Sequence, residues 1–200
     1  MQAPRPHDLL FARDPGAFAC AGARPDWFDA GAPLVVRREA TPPGMVAVGA
    51  RGLHRNERCP GYLPVAAIAA ILTPRMLAQQ AHATHADFPC IAALRTLAPR
   101  LDALDVDWGP AGGAGYWLAC GLPVLRATSD LDLLVRLPRR PAAATLAALA
   151  KLQDGQPCRI DIQVDTGAGG FAFAEYVRGG RVLLKTDAGA RLVADPWEAA

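Results

Sequence analysis

The sequence predicts an α+β chain with α/β-like alternation in its second half: a small β-rich amino-terminal domain over residues 1–82 and a larger domain over residues 89–200. Three observations predict it. The first third carries short apolar bursts between Pro-, Gly- and Arg-rich stretches. The second half alternates strand-like with helix-like segments. Its two most regular strands each bear acids on the face opposite their aliphatic residues.

In the amino-terminal part, Leu34-Val35-Val36 and Met45-Val46-Ala47-Val48 read as strands, joined as a hairpin across Thr41-Pro42-Pro43-Gly44. Thr73-Pro74 supplies an N-cap and a first-turn proline for a helix reaching about His82. Ala83 to Phe88 reads as the linker. Pro89 then opens a helix with Ile91, Leu94, Leu97 and Leu101 on one stripe. Val106 to Gly109 is a short strand entering the turn Pro110-Ala111-Gly112-Gly113, and Ala114 to Cys120 a helix stopped by Gly121. Ser129 to Val135 is a strand, Ala142 to Gln153 a helix, and Arg159 to Asp165 a further strand. Phe171 to Arg178 and Arg181 to Thr186 are the last two elements.

Composition narrows the function. With 21 basic and 19 acidic residues the net charge is +2, which excludes a general polycation for nucleic acid or membrane. A hydrophobic share of 52% excludes a disordered chain. The longest apolar stretch, Leu63 to Leu72, is about half a membrane span. Residues 1–10 hold no apolar h-region, so a soluble, cytoplasmic protein is expected. Five scattered cysteines with no CxxC pair read as reduced thiols. His82 and His85 have metal-ligand spacing, yet no third ligand lies near them in sequence.

The chemistry concentrates in Ser129-Asp130-Leu131-Asp132-Leu133-Leu134-Val135. Strand residues two apart share a face, so Asp130 and Asp132 aim together while Leu131, Leu133 and Val135 face the core. About thirty residues on, Arg159-Ile160-Asp161-Ile162-Gln163-Val164-Asp165 repeats the pattern, with Asp161, Gln163 and Asp165 opposite the aliphatics. Asp-x-Asp on a strand also occurs as a merely solvated face. If the two strands pair, however, Asp161 completes a three-carboxylate cluster with Asp130 and Asp132. Hard oxygen ligands of this kind suit Mg²⁺, and two ions about 3.5–4 Å apart serve in-line displacement at phosphorus. Gly112-Gly113 at a strand-to-helix turn lets phosphates approach helix N–H groups. Neither a Walker A run nor a G-x-S-x-G elbow occurs.

Gly112-Gly113 followed by Asp130-Leu131-Asp132-Leu133 resembles the signature of the nucleotidyltransferase superfamily, with its polymerase-beta-like fold. The longer stretch from Trp108 to Gly121 and on through Arg136 is similar to the phosphoribosyl-dephospho-CoA transferases of malonate decarboxylase, also termed holo-acyl-carrier-protein synthases. The likeness extends to Arg5-Pro6-His7-Asp8-Leu9-Leu10, to Val48-Gly49-Ala50-Arg51-Gly52 with Arg55 and Arg58, and to Arg191-Leu192-Val193-Ala194-Asp195-Pro196-Trp197. Gly113 stands where that family usually has serine.

The resemblance implies a nucleotidyltransferase core and a transfer from 2′-(5″-triphosphoribosyl)-3′-dephospho-CoA to a serine of the acyl carrier protein subunit of malonate decarboxylase, with diphosphate leaving. It further implies that Asp130 and Asp132 hold two Mg²⁺ ions, that Asp161 shares one and takes the serine proton, and that Gly112 and Gly113 seat the departing diphosphate. Arg126 becomes a phosphate clamp. Arg51, Arg55 and Arg58 either grip the CoA-side phosphate of the donor or dock an acidic carrier. Two other readings keep part of this picture: a transferase using an ordinary nucleoside triphosphate on a protein, and a non-catalytic carrier-binding module.

Overall fold

The computed structural model describes residues 3–81 and 87–198, which divide into two compact units. The first comprises residues 1–73 and 116–124, the second residues 74–115 and 125–200, as far as each is described. The His82/His85 pair and residues 83–86 of the expected linker lie outside the described residues.

The first unit is built on one six-stranded antiparallel sheet. Its strands are β1 (Leu9–Ala12), β2 (Ala19–Cys20), β3 (Leu34–Val36), β4 (Met45–Arg51), β5 (Arg58–Pro64) and β6 (Ile68–Leu72), in spatial order β2-β5-β4-β3-β1-β6. The expected hairpin is present, with Val35 opposite Gly49 and Val36 opposite Val48. Alternation puts Leu34, Val36, Val48, Ala50 and Leu63 on the inner face, where Leu10, Phe18 and Ile68 close the core. Fully burying an aliphatic side chain of this kind stabilises by about 1.5–3 kcal/mol. Cys20 and Cys59 face each other across β2 and β5 as free thiols, their Sγ atoms 2.9 Å apart.

The second unit opens with α1 (Pro74–Ala81), which the sequence placed with the amino-terminal part. Helix α2 (Pro89–Asp102) follows, with Ile91, Leu94, Leu97 and Leu101 completely buried, as the stripe requires. It runs through Pro99, which is exposed, so the backbone hydrogen bond that proline cannot donate is lost on the solvent side. The sheet contains β7 (Asp107–Pro110), β8 (Leu131–Arg136), β9 (Ile160–Asp165), β10 (Gly170–Ala172), β11 (Val182–Thr186) and β12 (Gly189–Val193), in order β12-β11-β10-β9-β8-β7. Every neighbouring pair is antiparallel except β8 and β9. Parallel strands need a crossover, and α4 (Ala143–Ala150), tightening into a 3-10 turn at Lys151–Gln153, lies in that connection. Helix α5 (Phe173–Arg178) and the first turn of α3 (Gly112–Cys120), whose residues from Tyr116 belong to the first unit, complete the elements. The expected Phe171–Arg178 element therefore splits: its first two residues finish a strand, and the rest are helical.

The carboxyl-terminal Asp-Pro-Trp segment is bolted to this sheet. Trp197 packs edge-on to Phe171 and Tyr176, with ring centroids 5.4 and 5.3 Å away. Its indole N–H donates to the Leu137 carbonyl at 2.9 Å, just past the end of β8. Arg140 lies over the indole and pairs with Asp195. No described helix is long and apolar enough to cross a membrane.

Candidate active site

Register decides which acids meet. In the parallel pair β8–β9, Asp132 stands beside Asp161, and Leu131 beside Ile160. Neighbouring strands lie about 4.8 Å apart, so the Asp132 and Asp161 side chains leave the same face from adjacent positions. Leu131, Leu133, Val135, Ile160, Ile162 and Val164 are buried, as the alternation predicts. Asp130, one residue before β8, is half-buried, and so are Asp132 and Asp161.

Gly112 closes this end of the sheet. The Ala111 N–H donates to the Asp132 carbonyl at 2.9 Å, continuing the β7–β8 ladder by one residue, and α3 begins at the next position. Gly112 has φ +53°, and a Cβ built on it would fall 1.8 Å from Asp132 Oδ2. The glycine is required twice, by its left-handed backbone and by the carboxylate resting against it. A helix leaves its first N–H groups without intrahelical partners, so the start of α3 brings donor groups beside Asp132. The sequence started this helix at Ala114; it in fact begins two residues earlier, at Gly112.

Asp161 has a partner the sequence did not suggest. Arg159 Nη2, from the residue just before β9, lies 2.7 Å from Asp161 Oδ1. Among the described residues no three or more His, Cys, Asp or Glu side chains are gathered in a way that could hold a metal ion. The anticipated gathering of three acids is thus not seen, and Asp161 is paired with Arg159. The donor set nevertheless fits Mg²⁺, which is commonly held by one or two carboxylates plus substrate phosphates. Asp165, on the same face of β9, is buried beside Arg136 in register; Arg136 reaches Asp107 at 3.6 Å on its other side. This charge row lies at the opposite end of the two strands.

Two thiols register the acids. Burial pushes Cys90 up to about 11, with Cys158 and Asp132 adding to it. Burial also raises Cys158, and Asp130 contributes in the same direction. Both thiols are therefore held in the protonated form.

Arg126 lies in an exposed turn four residues before Asp130. Its N–H donates to Ser129 Oγ at 2.9 Å, and the Ser129 N–H returns a bond to the Arg126 carbonyl at 3.0 Å. The other arginines belong to the first unit. Arg51 and Arg58 are register partners at the loop end of the β4–β5 hairpin, and Arg55 is exposed in its loop. Arg51 stacks over the Tyr116 ring at 5.3 Å, and the Tyr116 hydroxyl donates to the Arg51 carbonyl at 3.2 Å. Burial lowers the Arg58 pKa, and its guanidinium donates to the Glu57 carbonyl at 2.9 Å. Arg51 also lines a cavity of about 290 Å³ with Trp27, Leu53, His54 and Leu122. That cavity had no signal in the sequence, because its walls come from three separated segments.

Comparison with known proteins agrees along the whole chain. Residues 5–74 match the family described as phosphoribosyl-dephospho-CoA transferase MdcG N-terminal domain, and residues 76–196 match its C-terminal domain. A phosphoribosyl-dephospho-CoA transferase of Pseudomonas putida (strain W619) is 46% identical over 202 residues, covering 98% of this chain and 97% of the relative. The protein of that name from Pseudomonas aeruginosa is 42% identical, covering 98% and 95%. One from Klebsiella pneumoniae (strain 342) is 40% identical, covering 97% and 96%. No solved structure matches.

Proposed function

Because the chain belongs to the phosphoribosyl-dephospho-CoA transferase family, we propose that it transfers the phosphoribosyl-dephospho-CoA group from 2′-(5″-triphosphoribosyl)-3′-dephospho-CoA to a serine of the acyl carrier subunit of malonate decarboxylase. The reaction is of the nucleotidyltransferase type. The serine oxygen bonds to the α-phosphorus of the donor, the bond from that phosphorus to the bridging oxygen breaks, and diphosphate leaves.

The observation that carries this reading is the pairing of Asp132 with Asp161 against the Gly112 turn. Asp132 and Asp161, with Asp130 next to them, are the residues that would hold Mg²⁺. Bound there, Mg²⁺ would neutralise charge on the triphosphate oxygens and lower the pKa of the serine hydroxyl. Asp161 accepts the serine proton as general base. Gly112 and Gly113 present the first N–H groups of α3 to the departing diphosphate, and the missing side chains let its oxygens approach the backbone. Arg126, in the turn ahead of the acids, clamps a phosphate. In the first unit, Arg51, Arg55 and Arg58 take the CoA-side phosphate of the donor or the acidic face of the carrier.

Incubation of the protein with apo-carrier, donor and Mg²⁺, followed by intact-mass analysis of the carrier, tests the reading. One phosphoribosyl-dephospho-CoA increment on a single serine is expected, lost on chelation. Transfer from ATP or UTP, with none from the CoA-derived donor, would overturn the substrate assignment.

A further inference from the structure

The acidic end of the second sheet is a two-by-two array. Asp132 lies in β8 and Asp161 in its parallel neighbour β9, with Asp130 and Arg159 one residue ahead of the two strands. The Leu131 N–H donates to the Arg159 carbonyl at 2.9 Å, which sets Arg159 alongside Asp130 just as Asp161 stands alongside Asp132. Asp132 and Asp161 thus leave one face from adjacent positions, with the Arg159 guanidinium on Asp161 and Asp130 just ahead of Asp132.

Arg159 is poorly explained as a stabilising residue. Its side chain is 68% exposed against 27% for Asp161, and an exposed ion pair of this kind contributes little to stability. A planar fork with five donors is, in contrast, well suited to phosphate oxygens. We propose that Arg159 is a triphosphate-contacting residue that neutralises Asp161 while the site is empty, then yields Asp161 to a divalent cation and turns to the phosphates of the donor. The exchange conserves charge, because the guanidinium leaves one anion for another while Asp161 gains a new cationic partner. It also keeps the acids from confronting one another unneutralised between turnovers. This rests on the metal assignment made above for Asp132 and Asp161.

The proposal makes two opposite predictions for one substitution. Arg159→Gln removes a competitor for Asp161, so Mn²⁺ alone, titrated by electron paramagnetic resonance, binds several-fold more tightly than to the wild-type protein. The same variant loses a phosphate contact, so inorganic triphosphate in the presence of Mn²⁺ binds tenfold or more weakly by calorimetry. Arg159→Lys restores part of the triphosphate affinity. Circular dichroism and the thermal midpoint should match the wild-type protein. Unchanged affinities for both Mn²⁺ and triphosphate in Arg159→Gln would overturn the proposal, as would a parallel weakening of both. Asp132→Asn is run alongside. Wild-type protein that binds no Mn²⁺ with or without triphosphate defeats the metal assignment itself, a result distinct from failure of the Arg159 role.

Discussion

Replacing Gly112 by alanine perturbs the site with a single methyl group. Two costs follow from the geometry. At φ +53° an L-residue is strained by roughly 1–2 kcal/mol. The added Cβ also falls 1.8 Å from Asp132 Oδ2 and 2.5 Å from its Cγ, so the carboxylate must swing away or the turn must move. A displacement of about 1 Å at a reacting centre can cost about 100-fold in rate. For a chain of this length each kcal/mol shifts Tm by about 2–4 °C, so Gly112→Ala should melt roughly 2–8 °C lower and transfer at least about 100-fold more slowly. Gly121→Ala is the control. Gly121 has φ +72° at the other end of α3, but nothing lies within 4 Å of its Cβ position. It should lose comparable stability and keep its transfer rate. Calorimetry and a mass-based transfer assay on both variants decide the matter. Wild-type activity in Gly112→Ala, or equal losses in the two variants, would refute the idea that Gly112 shapes the Asp132 site.

Other outcomes follow from the same structure. Trp197→Ala removes two edge-on aromatic contacts and the indole bond to Leu137, and should cost about 3 kcal/mol or more, lowering Tm by about 6 °C or more. Trp197→Phe, which keeps most of the packing, should lose about 1 kcal/mol. The Cys59 and Cys90 thiols, pushed up to about 11 by burial, keep protons that the unfolded chain releases near 9.0. Their contribution is fully present below pH 9 and fades as pH rises through 11, so the urea midpoint should fall across that window. Cys90→Ala should flatten the fall. An equally steep decline in that variant would remove Cys90 from the explanation.

The acids were legible because alternation is a local property: Leu131, Leu133, Ile160 and Ile162 reveal which way Asp132 and Asp161 face. Their register was not, since it depends on a crossover whose length does not fix pairing. Arg159 read as a strand's first residue and nothing more, because its partner is set by side-chain reach. Gly112 was legible as a turn glycine ahead of a helix, but its contact with Asp132 needs three dimensions. In the first unit, β5 carries Pro60, Gly61 and Pro64, which read as turn residues, while its pairing along all seven positions with β4 overrides that local preference. Strand β6 hid inside an Ala-rich apolar run with no alternation. Helix α2 was legible to its last buried leucine because Pro99 falls on the solvent side.

The central claim is that Asp132 and Asp161, brought side by side by the parallel pairing, support transfer to the carrier serine. Single-turnover transfer with saturating donor and Mg²⁺ tests it most directly, using wild-type protein, Asp132→Asn and Asp161→Asn. The account predicts one mass increment on the carrier with the wild-type protein and a loss of at least about 1,000-fold in rate with either variant, each still folded. A variant that transfers at the wild-type rate would contradict it.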